Sequence, residues 1–384
     1  MKRLQRTFFF VLLILLVIYA SLALTGNGHI LEGIPQTYFR GVNKPDIDDL
    51  PFSDVREIPV GEAQAWPKSS AYNRFKLSDE LLEKHEKYES TAFLIIENDS
   101  LLFEQYWGQG GVDVLSNSFS MAKSFTAMSI GVAVDQGLLK TSDPVGNYLP
   151  RFKQGLNAEL SIKELLQMSS GINFGESYTN PFGYQAKSYY NDDLIGLTKD
   201  YLVSKTPGTF WEYQGGNTVI LSELLEKETG VRLSHYFGEN IWSKIGAEHA
   251  AYWGLDDADG MEKAFSAVYA TARDFARIGQ LYLNDGQWKG TQILSPAFIQ
   301  ESIQPCDAPD KDGLPANHYG YQWWLGEFEG DKIFMCIGMR GQYIICQPSK
   351  SRVVVRLGHT RPETKVDRLP EDLFWWLGAE LTPQ

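Results

Sequence analysis

The chain has 384 residues, 43% hydrophobic and 22% charged, a globular composition with length enough for a large core and one or two domains. A formal net charge of -13 repels phosphate backbones, so nucleic acid is excluded as an expected partner. The three cysteines, Cys306, Cys336 and Cys346, form no Cys-x-x-Cys pair, which argues against structural zinc or thioredoxin-like chemistry. Cys336 and Cys346 are placed either to face each other across a hairpin or to stand as buried thiols.

At the N-terminus Lys2, Arg3 and Arg6 precede an uncharged apolar run from Phe8 to Leu24. The run reaches the lower limit for crossing a bilayer, and the basic flank keeps that end cytoplasmic. Two readings of residues 1–25 stand: an uncleaved anchor, or a signal peptide cleaved after the small-x-small site Ser21-Leu22-Ala23. Both export the rest of the chain, to a periplasmic or extracellular location. Residues 26–77 are turn-rich, with Pro35, Pro45, Pro51, Pro59 and Pro67, and read as an extended linker.

A helix is expected over 77–88, then a hairpin of strands 91–97 and 101–107 turning at Asn98-Asp99-Ser100. The small, polar stretch 116–120 runs into the apolar segment 125–139. This reads as a loop entering a buried helix, with Ser118 or a neighbour as N-cap and Gly137 at its end. From 143 to about 256 the pattern is mostly helical, with helices expected at 162–168, 192–203 and 218–228. A further helix is expected over 267–284. The last third returns to strands at 332–337, 343–346 and 353–357, an antiparallel meander, followed by a closing helix at 374–381. Strands at both ends with helices between predict an α+β fold, with one sheet built from N- and C-terminal parts around an inserted helical region. The domain spans 78–384.

The chemistry is narrowed first by what is missing. No Gly-x-Ser-x-Gly elbow occurs, none of the six histidines lies in a triad motif, and no zincin helix or phosphate-cradling loop is present. No cofactor or metal is expected. What remains is Ser120-Met121-Ala122-Lys123, where Ser120 and Lys123 stand three apart on one helix face. A serine beside a partly desolvated lysine is a route to an activated nucleophile without histidine. The turn Pro207 to Asn217 delivers Tyr213 ahead of a helix, and a tyrosine beside an ammonium can shuttle a proton. The glycine-bearing edge Cys336 to Gln342 lets backbone approach a substrate and offer N–H donors to an oxyanion. Each feature alone also fits a solvated helix face, a loop tyrosine and a plain hairpin turn.

In this order the three pieces resemble the serine β-lactamase and penicillin-binding-protein superfamily, and within it the class C-type branch with esterases and 6-aminohexanoate-dimer hydrolases. The resemblance covers about 78–357. It is carried by Ser118-Phe119-Ser120-Met121-Ala122-Lys123-Ser124, Asp143-Pro144-Val145, Glu164 to Gly171, Pro207 through Tyr213, and Thr271 to Leu283. It implies a β-lactamase-like (transpeptidase-like) fold, Ser120 as acylated nucleophile, Lys123 and Tyr213 as the base/acid pair, and the N–H groups of Ser120 and Met339 as oxyanion hole. Two departures follow. The family's Tyr-x-Asn is Tyr213-Gln214-Gly215 here, so Gln214 or Asn217 would have to supply the missing amide. Lys-Thr-Gly is absent, with Cys336-Ile337-Gly338 in its place and Arg340 as the nearby cation. Gly338 and Arg340 join Gln214 and Asn217 as candidate substrate contacts. Loss of that lysine predicts poor β-lactam turnover. The expected function is an exported serine hydrolase of a small or peptide-like ester or amide. The alternatives are a β-lactamase or D,D-peptidase acting on cell-wall material, and a non-catalytic penicillin-binding-like sensor.

Overall fold

The computed structural model describes residues 2–379 and 381–383. Helix α1 (Lys2–Leu24) is apolar along Arg3–Leu24 and none of that stretch is buried against the protein. Residues 26–77, expected as an extended linker, include helix α2 (His29–Gln36) and a strand, Val55–Ile58. Helix α3 (Asp79–Lys87) starts at Ser78, whose hydroxyl accepts the Leu81 N–H, an N-cap of the usual kind.

The hairpin β1 (Ser90–Glu97) and β2 (Ser100–Tyr106) forms one edge of the main sheet. After it come the buried helix α4 (Ala122–Asp135), α5 (Gly215–Thr229) and α6 (Ala272–Leu283). The chain then returns as β3 (Trp324–Phe328), β4 (Asp331–Gly338), β5 (Gln342–Gln347) and β6 (Arg352–Gly358), closing with α7 (Glu371–Leu377). The sheet order is β3-β4-β5-β6-β1-β2, antiparallel throughout. N- and C-terminal strands thus share one sheet, and the fold is α+β and β-lactamase-like, as the sequence predicts.

Alternation along the strands divides the core. Leu94, Ile96, Cys336, Ile344 and Val355 face the cluster that holds α4 and α6. Phe93, Ile95, Met335, Ile345 and Val354 face α3 and α7. Both sheet faces are therefore covered, which is why these strands read as continuous apolar runs rather than alternating ones. A second, small sheet orders Val55–Ile58, Ala251–Gly254, Val268–Ala270 and Ser116–Asn117, and so ties the segment before α4 to the segment before α6.

Some expectations shift. The helix expected at 192–203 is only Leu194–Thr198. The expected helix at 267–284 divides into strand Val268–Ala270 and α6, because Thr271 caps α6 by accepting the Asp274 N–H at 3.2 Å. The closing helix runs from Glu371 to Leu377, earlier than 374–381. Ser118 is not the N-cap of α4: its hydroxyl accepts the Val268 N–H (3.0 Å), extending the pairing of two strands of the small sheet. Cys306, Cys336 and Cys346 are buried free thiols; Cys336 pairs with Ile344 and Cys346 with Phe334, so the two strand cysteines are not opposite one another.

Candidate active site

The segment before α4 is forced into an unusual path. Phe119 is buried with φ 45°, a left-handed conformation that a bulky residue adopts only when its surroundings hold it there. Asn117 Oδ1 accepts the Phe119 N–H at 2.9 Å, and Asn117 itself is fixed in the small sheet against Tyr269. A single 3₁₀ turn, Phe119–Met121, then presents Ser120 at the head of α4.

Lys123, the second residue of α4 and three residues after Ser120, is 1% exposed. Its Nζ donates to Ser120 Oγ at 3.1 Å and to the Phe265 carbonyl at 3.0 Å. It also lies 4.8 Å from the centre of the Tyr213 ring. A buried ammonium needs partners, and here they are a hydroxyl, a carbonyl and an aromatic face. The Tyr213 ring is held by Trp324 (5.3 Å between centres) and Tyr319 (5.8 Å). Its hydroxyl makes no hydrogen bond among the described residues. The structure therefore brings together the three residues that the motifs single out.

Ser120, Tyr213, Gly338 and Met339 line a common open cleft of about 840 Å³. Gly338 sits where β4 passes the nucleophile segment: a Cβ there would lie 2.3 Å from the Ser118 carbonyl oxygen, so only glycine permits the approach. Arg340 does not reach the cleft. With φ 63° it turns behind the sheet, donating to the carbonyls of Pro45 and His359 (2.8 Å each) and pairing with Asp46. Gln214 and Asn217 are also turned away. Gln214 Oε1 accepts the Phe174 N–H, and the Asn217 amide contacts Met168 Sδ, both in the buried interior.

Other residues occupy the cleft. Glu176 and Tyr178 come from the loop after 169–171, a stretch with no motif to mark it. Glu176 accepts the Gly215 N–H (2.7 Å) and the Tyr178 hydroxyl (2.9 Å). Burial pushes its carboxyl up from the ordinary glutamate range, against the pull of the Lys123 ammonium and these two donors. The opposite wall carries Arg361, Lys365 and Arg368. Arg368 is paired with Asp310 (2.7 Å), whereas Arg361 and Lys365 have no carboxylate within ion-pair distance among the described residues. Burial, with Arg361 and Lys311 nearby, holds the Lys365 amine below the usual lysine range. Three cations within eight residues of the sequence were the available signal for this wall.

The fold also gathers Asp46, Asp48 and His359, whose ligand-type atoms lie within 4.8 Å of one another. Arg340 already shares the Asp46 carboxylate at 3.4 Å, so an ion-pair network accounts for the cluster.

A Ser-x-x-Lys at the head of a helix with its lysine buried, a tyrosine over that lysine and a glycine-edged strand beside them form an arrangement that suits serine acyl transfer. Residues 78–373 match the family model described as Beta-lactamase, and the chain belongs to that family. It is a serine hydrolase of the β-lactamase and penicillin-binding-protein superfamily. Over 303 residues it is 25% identical to the 6-aminohexanoate-dimer hydrolase of Paenarthrobacter ureafaciens, covering 73% of this chain and 76% of that one. Two solved structures share the fold. One, from Bacillus anthracis and provisionally named a 6-aminohexanoate-dimer hydrolase, has a TM-score of 0.73 at 22% identity, covering 85% of this chain and 89% of its own. The other is a family VIII carboxylesterase, with TM-score 0.62 at 19% identity, covering 79% and 96%.

Proposed function

We propose that the chain is an exported, membrane-anchored serine hydrolase that cleaves a carboxylic ester or amide through an acyl-enzyme on Ser120. One observation carries this reading: the Lys123 amine lies 3.1 Å from Ser120 Oγ in a site where Lys123 is otherwise sealed from water. In the cycle, the Lys123–Tyr213 pair acts in the form that holds one proton fewer, ammonium with phenolate or amine with phenol. It takes the hydroxyl proton as Ser120 Oγ bonds to the carbonyl carbon and the carbonyl π pair moves onto its oxygen. The N–H groups of Ser120 and Met339 receive the developing oxyanion. The pair returns the proton to the leaving amine or alcohol, and water then displaces the acyl group by the same route. Export rests on α1, whose apolar length is compatible with an anchor.

A second reading, β-lactam or D,D-peptide hydrolysis, is favoured by Arg361 and Lys365. They place positive charge in the cleft although the strand at 336–338 lacks the lysine of β-lactam-binding relatives. Steady-state kinetics with a p-nitrophenyl ester and nitrocefin separate the two. Ester turnover with slow nitrocefin hydrolysis is expected; fast nitrocefin turnover with negligible ester hydrolysis overturns the first reading. A fluorophosphonate that labels wild type and Ser120→Ala equally removes Ser120 as nucleophile. Stable labelling of wild type with no turnover of any ester, amide or β-lactam would leave a sensor instead.

A further inference from the structure

The link from α1 to α2 is short and held by backbone hydrogen bonds. The N–H groups of Thr25 and Asn27 return to the carbonyls of Ser21 and Leu22, and those of Ile30 and Leu31 bond to Asn27 and Gly28. Helix α2 thus begins within five residues of the apolar span. It is docked rather than free. His29 is 3% exposed, with Nε2 2.8 Å from the Pro181 carbonyl, and burial holds its imidazole below the ordinary histidine range, so the neutral ring donates there. Gly33 lies flat against Tyr190, with space of only 3.3 Å for a Cβ. Pro181 ends the loop that carries Glu176 and Tyr178 into the cleft. One wall of the cleft is therefore clamped to the helix that follows the span.

Large aromatic side chains stand in water at both ends of this clamp. At the far end of α2, Tyr38 is 66% and Phe39 81% exposed, and the guanidinium of the next residue, Arg40, lies 3.8 Å above the ring of Phe52 (53% exposed). At the near end Phe182, next to Pro181, is 54% exposed. Exposed aromatics grouped on a water-facing surface are costly, and aromatic rings concentrate at the headgroup level of bilayers. A chain of net charge -13 gains nothing from an anionic membrane over most of its surface. An aromatic footing beside the span is how such a domain would still seat on lipid.

We propose that Tyr38, Phe39, Phe52 and Phe182 form an interfacial footing that seats the domain on the bilayer, with the 176–181 wall of the cleft at the lipid surface, so that acyl substrates enter from the membrane. The substrate class is then an amphiphilic ester or amide whose acyl chain partitions into lipid, which rests on the hydrolase reading above. The partner is the bilayer that α1 is proposed to enter, so the footing rests on that anchor reading too, and α2, which starts within five residues of the span, sets which face is down.

The test uses the full chain in nanodiscs. Since the three native cysteines are buried, Phe39→Cys and Phe182→Cys can each be labelled selectively with an environment-sensitive fluorophore. Leu138→Cys, on an exposed site (40%) after α4, is the control. Labels at 39 and 182 are expected to shift to the blue and to be quenched by headgroup-level nitroxide lipids, and the label at 138 to do neither. Equal, unquenched emission at all three overturns the footing. A second arm compares Phe39→Ser/Phe182→Ser with wild type on a water-soluble p-nitrophenyl ester and on a long-chain ester held in the nanodisc. A several-fold drop in kcat/KM for the embedded ester alone is expected. No change for either ester overturns entry from the membrane, and so does an equal drop for both. If Ser120→Ala leaves the soluble-ester rate unchanged, the hydrolase reading fails, while the fluorescence arm still judges the footing.

Discussion

The two ends of the cleft are built by opposite means. The end proposed to carry the nucleophile is a buried inset: Ser120 and Lys123 share one helix face, and Lys123 is sealed under Tyr213 with its hydrogen bonds made inside the domain. The end proposed to hold substrate is assembled from remote, partly exposed segments: Gly338 and Met339, the loop around Glu176, and the cations after β6. The first end is dictated by local spacing, which the chemistry of acyl transfer cannot relax. The second carries no such local constraint, and it holds the positions where Lys-Thr-Gly is replaced by Cys336-Ile337-Gly338.

The sharpest way to break the comparison is at the inset. Ser120→Ala should lower ester turnover at least about 10⁴-fold, the scale of removing a nucleophile that works as a unit with its base. The melting temperature should stay near that of wild type, since one exposed-edge hydroxyl is lost. Turnover that survives would move the chemistry elsewhere in the cleft. Far from the cleft, Glu104 shows what a purely structural charge does. It receives Arg273 Nε (2.8 Å) and the hydroxyls of Tyr72 (2.6 Å) and Tyr106 (2.7 Å), with its side chain 5% exposed. Glu104→Ala leaves Arg273 only its longer contact with Glu248 (3.4 Å) and takes the acceptor from the Tyr72 and Tyr106 hydroxyls, and should cost about 1–3 kcal/mol of stability by urea unfolding. The kcat of the protein that remains folded should be unchanged.

At the junction of the two ends, Gly338→Ala drives a methyl into the Ser118 carbonyl. The turn carrying Met339 must move relative to Ser120. A displacement of about 1 Å in a reacting geometry costs on the order of 10²-fold, so kcat should fall by that factor with KM little altered. At the substrate-holding end, Arg361→Ala and Lys365→Ala should raise KM about 3–10-fold for esters bearing a carboxylate, an effect that added salt erases, and leave neutral esters unaffected. Equal loss for neutral esters would assign these cations a structural role instead.

The same division explains what could be read from the sequence. Ser120 and Lys123 were legible because i, i+3 spacing on a helix is a local rule, and the sheet because its strands are apolar runs bounded by turns. Tyr213 needed the order of motifs as well. Glu176 was not legible: it reaches the site through an irregular loop, and its role depends on Gly215 and Lys123, which approach only in the folded chain. Arg340, Gln214 and Asn217 were misplaced for a related reason. Proximity in sequence to a motif says nothing of which way a side chain turns, and the left-handed φ of Arg340 sends it to the rear of the sheet. Of the helix expected at 192–203 only Leu194–Thr198 forms, starting where the Asp193 side chain accepts the Gly196 N–H.

The smallest effect tests whether the rear of the sheet supports the substrate-holding turn. His359 Nδ1 bonds Asp46 at 2.9 Å, and Arg340 spans from the turn to Pro45 and His359. The hydrogen bond to Asp46, with the charges of Asp46 and Asp48, holds the His359 imidazole above its ordinary range despite burial. Burial pushes Asp46 upward, but the His359 hydrogen bond, Arg340 and the Ile47 N–H outweigh it and hold that carboxyl low. A histidine raised on folding stabilises fully below its unfolded value of about 6.5, and the contribution fades as pH rises through the folded value. The carboxyl held low contributes above the ordinary aspartate range and is lost as pH falls through its folded value. Both act together only in the mildly acidic window between. His359→Gln should therefore cost about 1 kcal/mol near pH 6 and less at pH 9, measured by unfolding at each pH. If the turn leans on this network, kcat of the variant should also fall slightly at pH 6 and match wild type at pH 9. A uniform loss across pH would mean that His359 acts by packing alone.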